Sequence, residues 1–162
     1  PGGPKVEQMA RSGNSKAFNF PKPLLEKDSL DFSFSGLKTS VKRTVDSTEL
    51  SEKNISDICA SFQEVVTDVL IEKIRRAFSA TKGFTDTLVV AGGVAANLYI
   101  KDKLNMFASE NKIKLFYPPL SLCTDNGAMI AWAGVERLKM GYTNSLDFEP
   151  RSRWSLEDVQ ND

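Results

Sequence analysis

The sequence predicts an α/β fold, and three features predict it. From residue 87 to residue 141 the chain reads strand, helix, strand, helix, the succession that builds a sheet with helices layered on it. The first strand, "TLVVAGG" at 87–93, is short and apolar, the type expected in a parallel sheet buried on both faces. Upstream, Ile55, Ile58, Cys59, Phe62, Val65, Val66, Val69, Leu70, Ile74 and Phe78 recur at i, i+3, i+4, i+7 spacing. That pattern marks a long amphipathic helix, the expected centre of packing.

The other elements follow from local signals. "PGGP" at 1–4 reads as a turn, and "KVEQMARSG" at 5–13 as a short helix with Val6, Met9 and Ala10 on one face and Gly13 as its stop. Phe18 and Phe20 alternate before Pro21 and Pro23, which predicts an edge strand running into an extended segment. Leu30, Phe32 and Phe34 alternate in the same way; after Ser35 and Gly36 the spacing of Leu37 and Val41 turns helical. Residues 46–53 are polar and read as a loop. Asn54, with Asp57 three residues on, is the expected cap of the long helix. A helix is expected from about Ala95 to Asn111, then a strand in "IKLFYPP", closed by its prolines. After a loop comes a helix with Met129, Ile130, Ala133 and Leu138 inward and Gly141 as its stop. Residues 142–162 form a polar tail apart from Leu146, Phe148 and Trp154, and 1–162 as a whole reads as one domain.

Composition narrows the classes. A chain of 162 residues, 41% apolar and 26% charged, has the profile of a globular domain with a sizeable core. Lys+Arg and Asp+Glu are both 21, so a nucleic-acid contact must come from a local patch rather than from overall charge. The apolar runs are too short to cross a bilayer, and no signal-peptide core is seen. Cys59 and Cys123 make neither a disulfide framework nor a metal spacing, which points to a reducing compartment. There is no histidine, which excludes from this chain a Ser-His-Asp triad, a His general base and a His-based zinc site. The first residue is not Met and lies in a glycine-rich stretch, so the chain is expected to be cut from a longer protein.

Four glycine-containing loops carry the candidate chemistry. Gly92 and Gly93 end an apolar strand, where backbone without a Cβ can approach a ligand, and the helix after them offers amides and partial positive charge to an anion. Asn97 stands at that helix start, placed to bond a ribose hydroxyl or a base edge; a tight strand-to-helix turn accounts for the same pattern. Thr124-Asp125-Asn126-Gly127 repeats the arrangement: Asp125 is a metal ligand or a phosphate-coupled carboxylate, or else Asp125 or Thr124 caps the helix. Ser33, Ser35, Gly36 and Lys38 stand at a third helix start, as phosphate contacts or as caps and a solvated lysine. In "PGGP", Gly3 permits close approach, and Glu7 one helical turn later either takes ribose hydroxyls or favours the helix dipole. Together the loops suggest a nucleotide cleft. The basic residues, among them Lys73, Arg75, Arg76, Lys101 and Lys103, read mostly as solvated helix faces; Lys42, Arg43 and the "PRSRW" tail are the best candidates for nucleic-acid phosphates.

"PGGPKVEQMA", "DFSFSGLKTSV", "VVAGGVAAN", "LCTDNGAMIAWAG" and "PRSRW" stand in the order and spacing of the TsaD family, the tRNA N6-adenosine threonylcarbamoyltransferases formerly described as glycoprotein endopeptidases. The chain resembles that family over essentially its whole length, most closely the bacterial and organellar branch. The resemblance implies the C-terminal lobe of an actin-like, Hsp70-like ATPase fold, with a mixed sheet flanked by helices and two lobes closing on a nucleotide. It implies transfer of the threonylcarbamoyl group from threonylcarbamoyl-AMP to N6 of adenosine 37 in tRNAs reading codons that start with A. It implies that Gly3 and Asn97 contact the adenylate, with the Gly92–Gly93 turn and Glu7 beside them, and that Asp125 is a ligand of an iron or zinc ion. Glu7 stands where only some members have a ribose-binding carboxylate.

The family's two metal-binding histidines lie in the first half, which this chain lacks, so the isolated chain is expected to be inactive. The tail has "PRSRW" where relatives more often have proline before the final Arg-Trp. In bacteria the family implies a TsaB-like paralogous dimer partner and a TsaE-like ATPase, in the cytoplasm, with the mitochondrial matrix as the alternative and no membrane. Two other readings remain: an ATP-hydrolysing or sugar-phosphorylating lobe of the same fold class, and a non-catalytic binding lobe. The peptidase reading has neither an HExxH motif nor a nucleophile elbow with a histidine to support it.

Overall fold

The computed structural model describes residues 2–23, 29–81 and 85–153. It divides into two compact units, Pro1–Cys123 and Thr124–Asp162. The first holds α1 (Gly2–Ala10), α2 (Ser35–Ser47), α3 (Glu52–Ala80), β1 (Thr87–Val89), α4 (Leu98–Glu110) and β2 (Lys114–Phe116), with 3₁₀ turns at Gly93–Ala96 and Leu120–Leu122. The second holds α5 (Gly127–Lys139).

The long apolar stripe becomes α3, whose 29 residues form the spine against which α1, α2 and α4 pack. Phe20, Leu37, Ile58 and Val65 are buried together, with Phe18, Phe34, Val41, Val45, Phe62 and Val66 around them. Burying each large apolar side chain contributes about 1.5–3 kcal/mol. The helix begins one turn earlier than expected: Ser51, not Asn54, is its cap, its hydroxyl accepting the Asn54 N–H at 3.2 Å. The glycines of "PGGP" likewise belong to a helix rather than a turn. Pro4 stands in the first turn of α1, where a missing N–H removes no intrahelical bond.

α3 also buries Ser56, Asp57, Ser61, Gln63, Thr67 and Lys73. These hold segments that have no ladder of their own. Asn14 donates its N–H to Asp57 Oδ1 at 2.7 Å, and Phe18 donates its N–H to Ser61 Oγ at 3.1 Å. Ser12 Oγ donates to Ser56 Oγ at 3.2 Å, and Lys73 Nζ donates to the Ser29 carbonyl. The expected edge strand at Phe18–Phe20 is absent; the Phe18 amide goes to a side chain of α3 rather than to a neighbouring strand. The alternation survives as packing: Phe20 is buried and stacks on Phe18 at 6.2 Å. Residues 30–34 form no strand either, although Phe32 and Phe34 stack at 6.4 Å. Lys73, expected on a solvated face, is buried.

β1 and β2 are parallel, in register Thr87↔Lys114, Leu88↔Leu115 and Val89↔Phe116, with α4 as the crossover that parallel neighbours require. They are the only strands among the described residues. The expected burial on both faces is not observed: Leu88 and Leu115 are half-buried, but Val89 and Phe116 are exposed. α4 packs on β2, and a two-stranded sheet has no second layer among the described residues. In the second unit Gly141 ends the last helix at φ +85°, as expected of a stop glycine. Met129, Ile130, Ala133 and Leu138, expected inward, are exposed, since among the described residues of that unit there is a single helix and no second element to cover it. No helix among the described residues is long and apolar enough to cross a membrane.

Gly13 is required by contact rather than by conformation. A Cβ there would fall 2.0 Å from the Ser56 carbonyl oxygen on α3. Gly13→Ala in the full-length protein is expected to cost about 1–3 kcal/mol, the range of overpacking, and to lower Tm. An unchanged Tm would contradict the close approach of this turn to α3.

Asp57 gives a pH dependence. The Lys53 ammonium, and then the Asn14 amide, hold its carboxyl below the usual carboxylate range. A depressed folded pKa stabilises above the unfolded value of about 3.9, and that contribution fades as pH falls from there through the folded pKa. Asp57→Asn should flatten the acid limb of a plot of unfolding free energy against pH. An acid limb identical to the parent's would remove Asp57 from its causes.

Candidate functional site

The site is assembled where β1 hands over to α4. Val90 extends the pairing by donating its N–H to the Phe116 carbonyl at 2.9 Å. The chain then turns at Gly92, whose φ of +80° strains any residue with a side chain. The 3₁₀ turn that follows is closed by Ala95 N–H to Gly92 O and Asn97 N–H to Val94 O, both 3.0 Å. The amides of Gly92, Gly93 and Val94 have no hydrogen-bond partner among the described residues.

The helix expected from Ala95 is broken at Asn97, which is extended and caps α4. Asn97 Oδ1 accepts the Ile100 N–H at 3.0 Å, and Asn97 Nδ2 donates to Gln63 Oε1 at 2.9 Å. Glu7 reaches across from α1: its Oε1 accepts the Leu98 N–H at 3.1 Å, and the Arg11 guanidinium stands 3.9 Å away. A carboxylate at the positive end of a helix is a favourable placement. The expectation of an open α4 N-terminus is corrected in part: Leu98 and Ile100 already donate to side chains, and further amides without partners among the described residues lie one turn earlier, in the glycine loop.

These groups surround a cleft of about 780 Å³. α1 contributes Gly3, Pro4, Val6 and Glu7; α3 contributes Phe62, Gln63 and Val66; the loop and α4 contribute Gly93, Val94, Ala96, Asn97 and Ile100. Gly3, Glu7, Gly93 and Asn97, chosen from sequence, thus line one space, with Gly92 next in the chain. Apolar walls with a few convergent polar groups are the usual make-up of a small-molecule site. Gln63 was not singled out from the sequence. Its signal was a polar residue at helical spacing with Cys59 and Val66 on the edge of the apolar stripe. A smaller cavity of about 460 Å³ lies against Glu7, Arg11, Tyr99 and Asp102. Beside it the Tyr99 hydroxyl donates to Glu64, and burial followed by that carboxylate pushes the phenol well above its usual pKa.

Asp125 belongs to the second unit and is exposed. Neither Asp125 nor Thr124 is the cap of α5. That cap is Asn126, whose Oδ1 accepts the Met129 N–H at 3.0 Å. The described residues contain no group of three or more side chains able to hold a metal. With no histidine in the chain, the residues present do not make the implied iron or zinc site by themselves. Ser33 and Ser35 hydroxyls lie 3.3 Å apart and neither caps α2; Lys38 is exposed. Lys42 pairs with Asp46 at 2.7 Å, and Arg43, Arg151 and Arg153 are exposed. Trp154 lies outside the described residues.

Comparison of the sequence with known families decides the kinship. The family model described as "TsaD: tRNA N6-adenosine threonylcarbamoyltransferase" matches residues 1–132. The chain belongs to this family. A protein of Rhodospirillum rubrum named tRNA N6-adenosine threonylcarbamoyltransferase is 50% identical, the match covering 97% of this chain and 45% of that protein. Proteins of the same name from Ehrlichia canis and Wolbachia pipientis are 47% and 40% identical, covering 99% and 97% of this chain and 47% of each relative. The chain thus spans less than half the length of these relatives and corresponds to their C-terminal part. The matched region includes Gly3, Glu7, Gly92, Gly93, Asn97 and Asp125.

Because Glu7 ties α1 to the start of α4, its removal should be felt in stability as well as in binding. Glu7→Ala is expected to cost about 0.3–1 kcal/mol, the usual worth of a carboxylate at a helix N-terminus, and Glu7→Gln less. Urea unfolding midpoints of the full-length variants check this order. Equal midpoints for all three proteins would contradict it.

Proposed function

We propose that this chain is the second lobe of a two-lobed, actin-like and Hsp70-like enzyme that transfers the threonylcarbamoyl group from threonylcarbamoyl-AMP to N6 of adenosine 37 in tRNA. The observation that carries this reading is the convergence of Gly3, Glu7, Gly93 and Asn97 on one cleft, in a chain of the TsaD family. The adenylate occupies that cleft. Glu7 spends one oxygen on Leu98, and a carboxylate has about four acceptor positions in all, so it retains capacity for ribose hydroxyls. The Gly92–Gly93 amides suit the phosphate, and Phe62, Val66, Val94 and Ile100 give the base an apolar wall. Asn97 keeps one Nδ2–H beyond the bond to Gln63 with which to contact the nucleotide.

In the transfer, adenosine N6 attacks the carbamoyl carbon, the carbon–nitrogen bond forms, the carbon–oxygen bond to phosphate breaks, and AMP leaves as N6 loses a proton. The contribution of this chain is positioning and charge stabilisation, since none of its side chains is an evident nucleophile. Asp125 is assigned as one ligand of a metal, iron or zinc, whose histidine ligands come from the part of the protein that this chain does not cover. The isolated chain is inactive on this reading. A TsaB-like paralogue and a TsaE-like ATPase are the partners, in the cytoplasm or a mitochondrial matrix.

The test is transfer by the full-length protein, with threonylcarbamoyl-AMP, its partners and unmodified tRNA, read as modified adenosine by mass spectrometry. Asn97→Ala and Asp125→Ala are each expected to lower the rate by about tenfold or more, the equivalent of one good hydrogen bond or ligand. A parent that makes no modified adenosine yet hydrolyses ATP unaided would favour the kinase-like reading. A parent that does neither but binds nucleotide would favour a binding lobe.

A further inference from the structure

We propose that Gln63 is a positioning residue that restrains the nitrogen of the Asn97 amide, whose orientation is set by the Ile100 N–H, so that the second Nδ2–H is directed at a hydrogen-bond acceptor of the bound group. The proposal rests on the adenylate reading of the cleft. Gln63 is 7% exposed, stands on α3, and lines the same cleft as Asn97. The two side chains meet across the junction of α3 and α4, Asn97 Nδ2 donating to Gln63 Oε1 at 2.9 Å.

The direction of that bond is dictated at its other end. The atom of Asn97 that faces the Ile100 N–H, 3.0 Å away, must be an oxygen, because an amide N–H can only donate. The nitrogen then faces α3, where it needs an acceptor, and Gln63 Oε1 supplies one. Turning the Asn97 amide over would set donor against donor at Ile100. Asn97 is thus held in one orientation by two helices at once, and its second Nδ2–H has a fixed direction. An oxygen or ring nitrogen of the nucleotide satisfies that hydrogen; a second donor does not. Without Gln63 the amide keeps its cap to Ile100 but loses the restraint on its nitrogen.

The experiment uses the full-length protein and measures by calorimetry AMP affinity for Asn97→Ala, Gln63→Met and the double variant Gln63→Met/Asn97→Ala, and adenosine affinity for the parent and Gln63→Glu, so that the added carboxylate meets no phosphate. Gln63→Met removes the acceptor at similar length. Gln63→Glu keeps an acceptor oxygen and so rescues a positioning role, whereas packing alone is not improved by a buried charge. Expected are about tenfold weaker binding for Gln63→Met, binding within about twofold of the parent for Gln63→Glu, and no further loss when Gln63→Met is added to Asn97→Ala, the non-additivity of residues acting through one contact. Thermal unfolding confirms that each variant is folded at the temperature used, and an unfolded Gln63→Met leaves the decision to Gln63→Glu: affinity lowered about tenfold there overturns the proposal. If Asn97→Ala weakens AMP but Gln63→Met does not, or the two losses add, the positioning role falls and the adenylate reading stands. If Asn97→Ala binds AMP as the parent does, both fall together.

Discussion

The structure of the first unit depends on α3 being apolar enough to pack on three sides and polar enough, at chosen positions, to satisfy other segments. A helix needs nothing from outside for its own backbone, so its buried side chains are free to serve backbone elsewhere. Asp57 and Ser61 take the amides of Asn14 and Phe18, and Ser56 takes the hydroxyl of Ser12. A buried group left without a partner costs about 1–3 kcal/mol, so residues 12–18 are held to this register as firmly as a strand is held by its ladder. Gly13 completes the fit by letting backbone lie against backbone. The consequence reaches the cleft. With the end of α1 fixed on α3, Glu7 is delivered to the start of α4, and Gln63, two residues beyond Ser61 on α3, meets Asn97.

The sequence made the helices and the glycine loop readable because their signals are local. Apolar spacing gave α3, and Gly92 and Gly93 gave the strand-to-helix turn, since φ +80° leaves few other choices. What the sequence concealed was long-range. Nothing in "KAFNFP" says that Ser61, more than forty residues away, takes its amide, so Phe18 and Phe20 read as a strand. Asn54 looked like a cap because Asp57 stands three residues on; Ser51 offers the same capping chemistry three residues earlier, and its hydroxyl is the one that accepts the Asn54 N–H. The exposed Val89, Phe116 and Ile130 are a different kind of case: their apolar character was legible, but among the described residues nothing buries them. For the site, the types and order of Gly3, Glu7, Gly93 and Asn97 were legible, and the sequence already suggested a cleft between such loops; the part played by Gln63 was not legible.

The two polar anchors of the cleft have structural work that does not compete with binding. Asn97 caps α4 with its oxygen and keeps a donor; Glu7 caps it with one oxygen and keeps acceptors. Substituting either one therefore changes two things, the start of α4 and the chemistry of the cleft. Stability and affinity have to be read separately for both residues.

This double use also divides the cleft electrostatically. The Glu7 carboxylate takes the first amide of α4 and leaves negative charge beside it, which repels a phosphate from the helix end that would otherwise attract one. The amides of Gly92, Gly93 and Val94, which have no partner among the described residues, lie at the start of the 3₁₀ turn, where an anion meets donors rather than a carboxylate. On the proposed adenylate reading, this division would orient the ligand by charge, with its phosphate toward the glycine loop, its ribose hydroxyls toward Glu7 and its base toward the apolar wall of Phe62 and Val66. The same argument explains why a neutral amide suits position 97. A carboxylate there would set a second negative charge beside Glu7 and lose the donor that Gln63 holds in place.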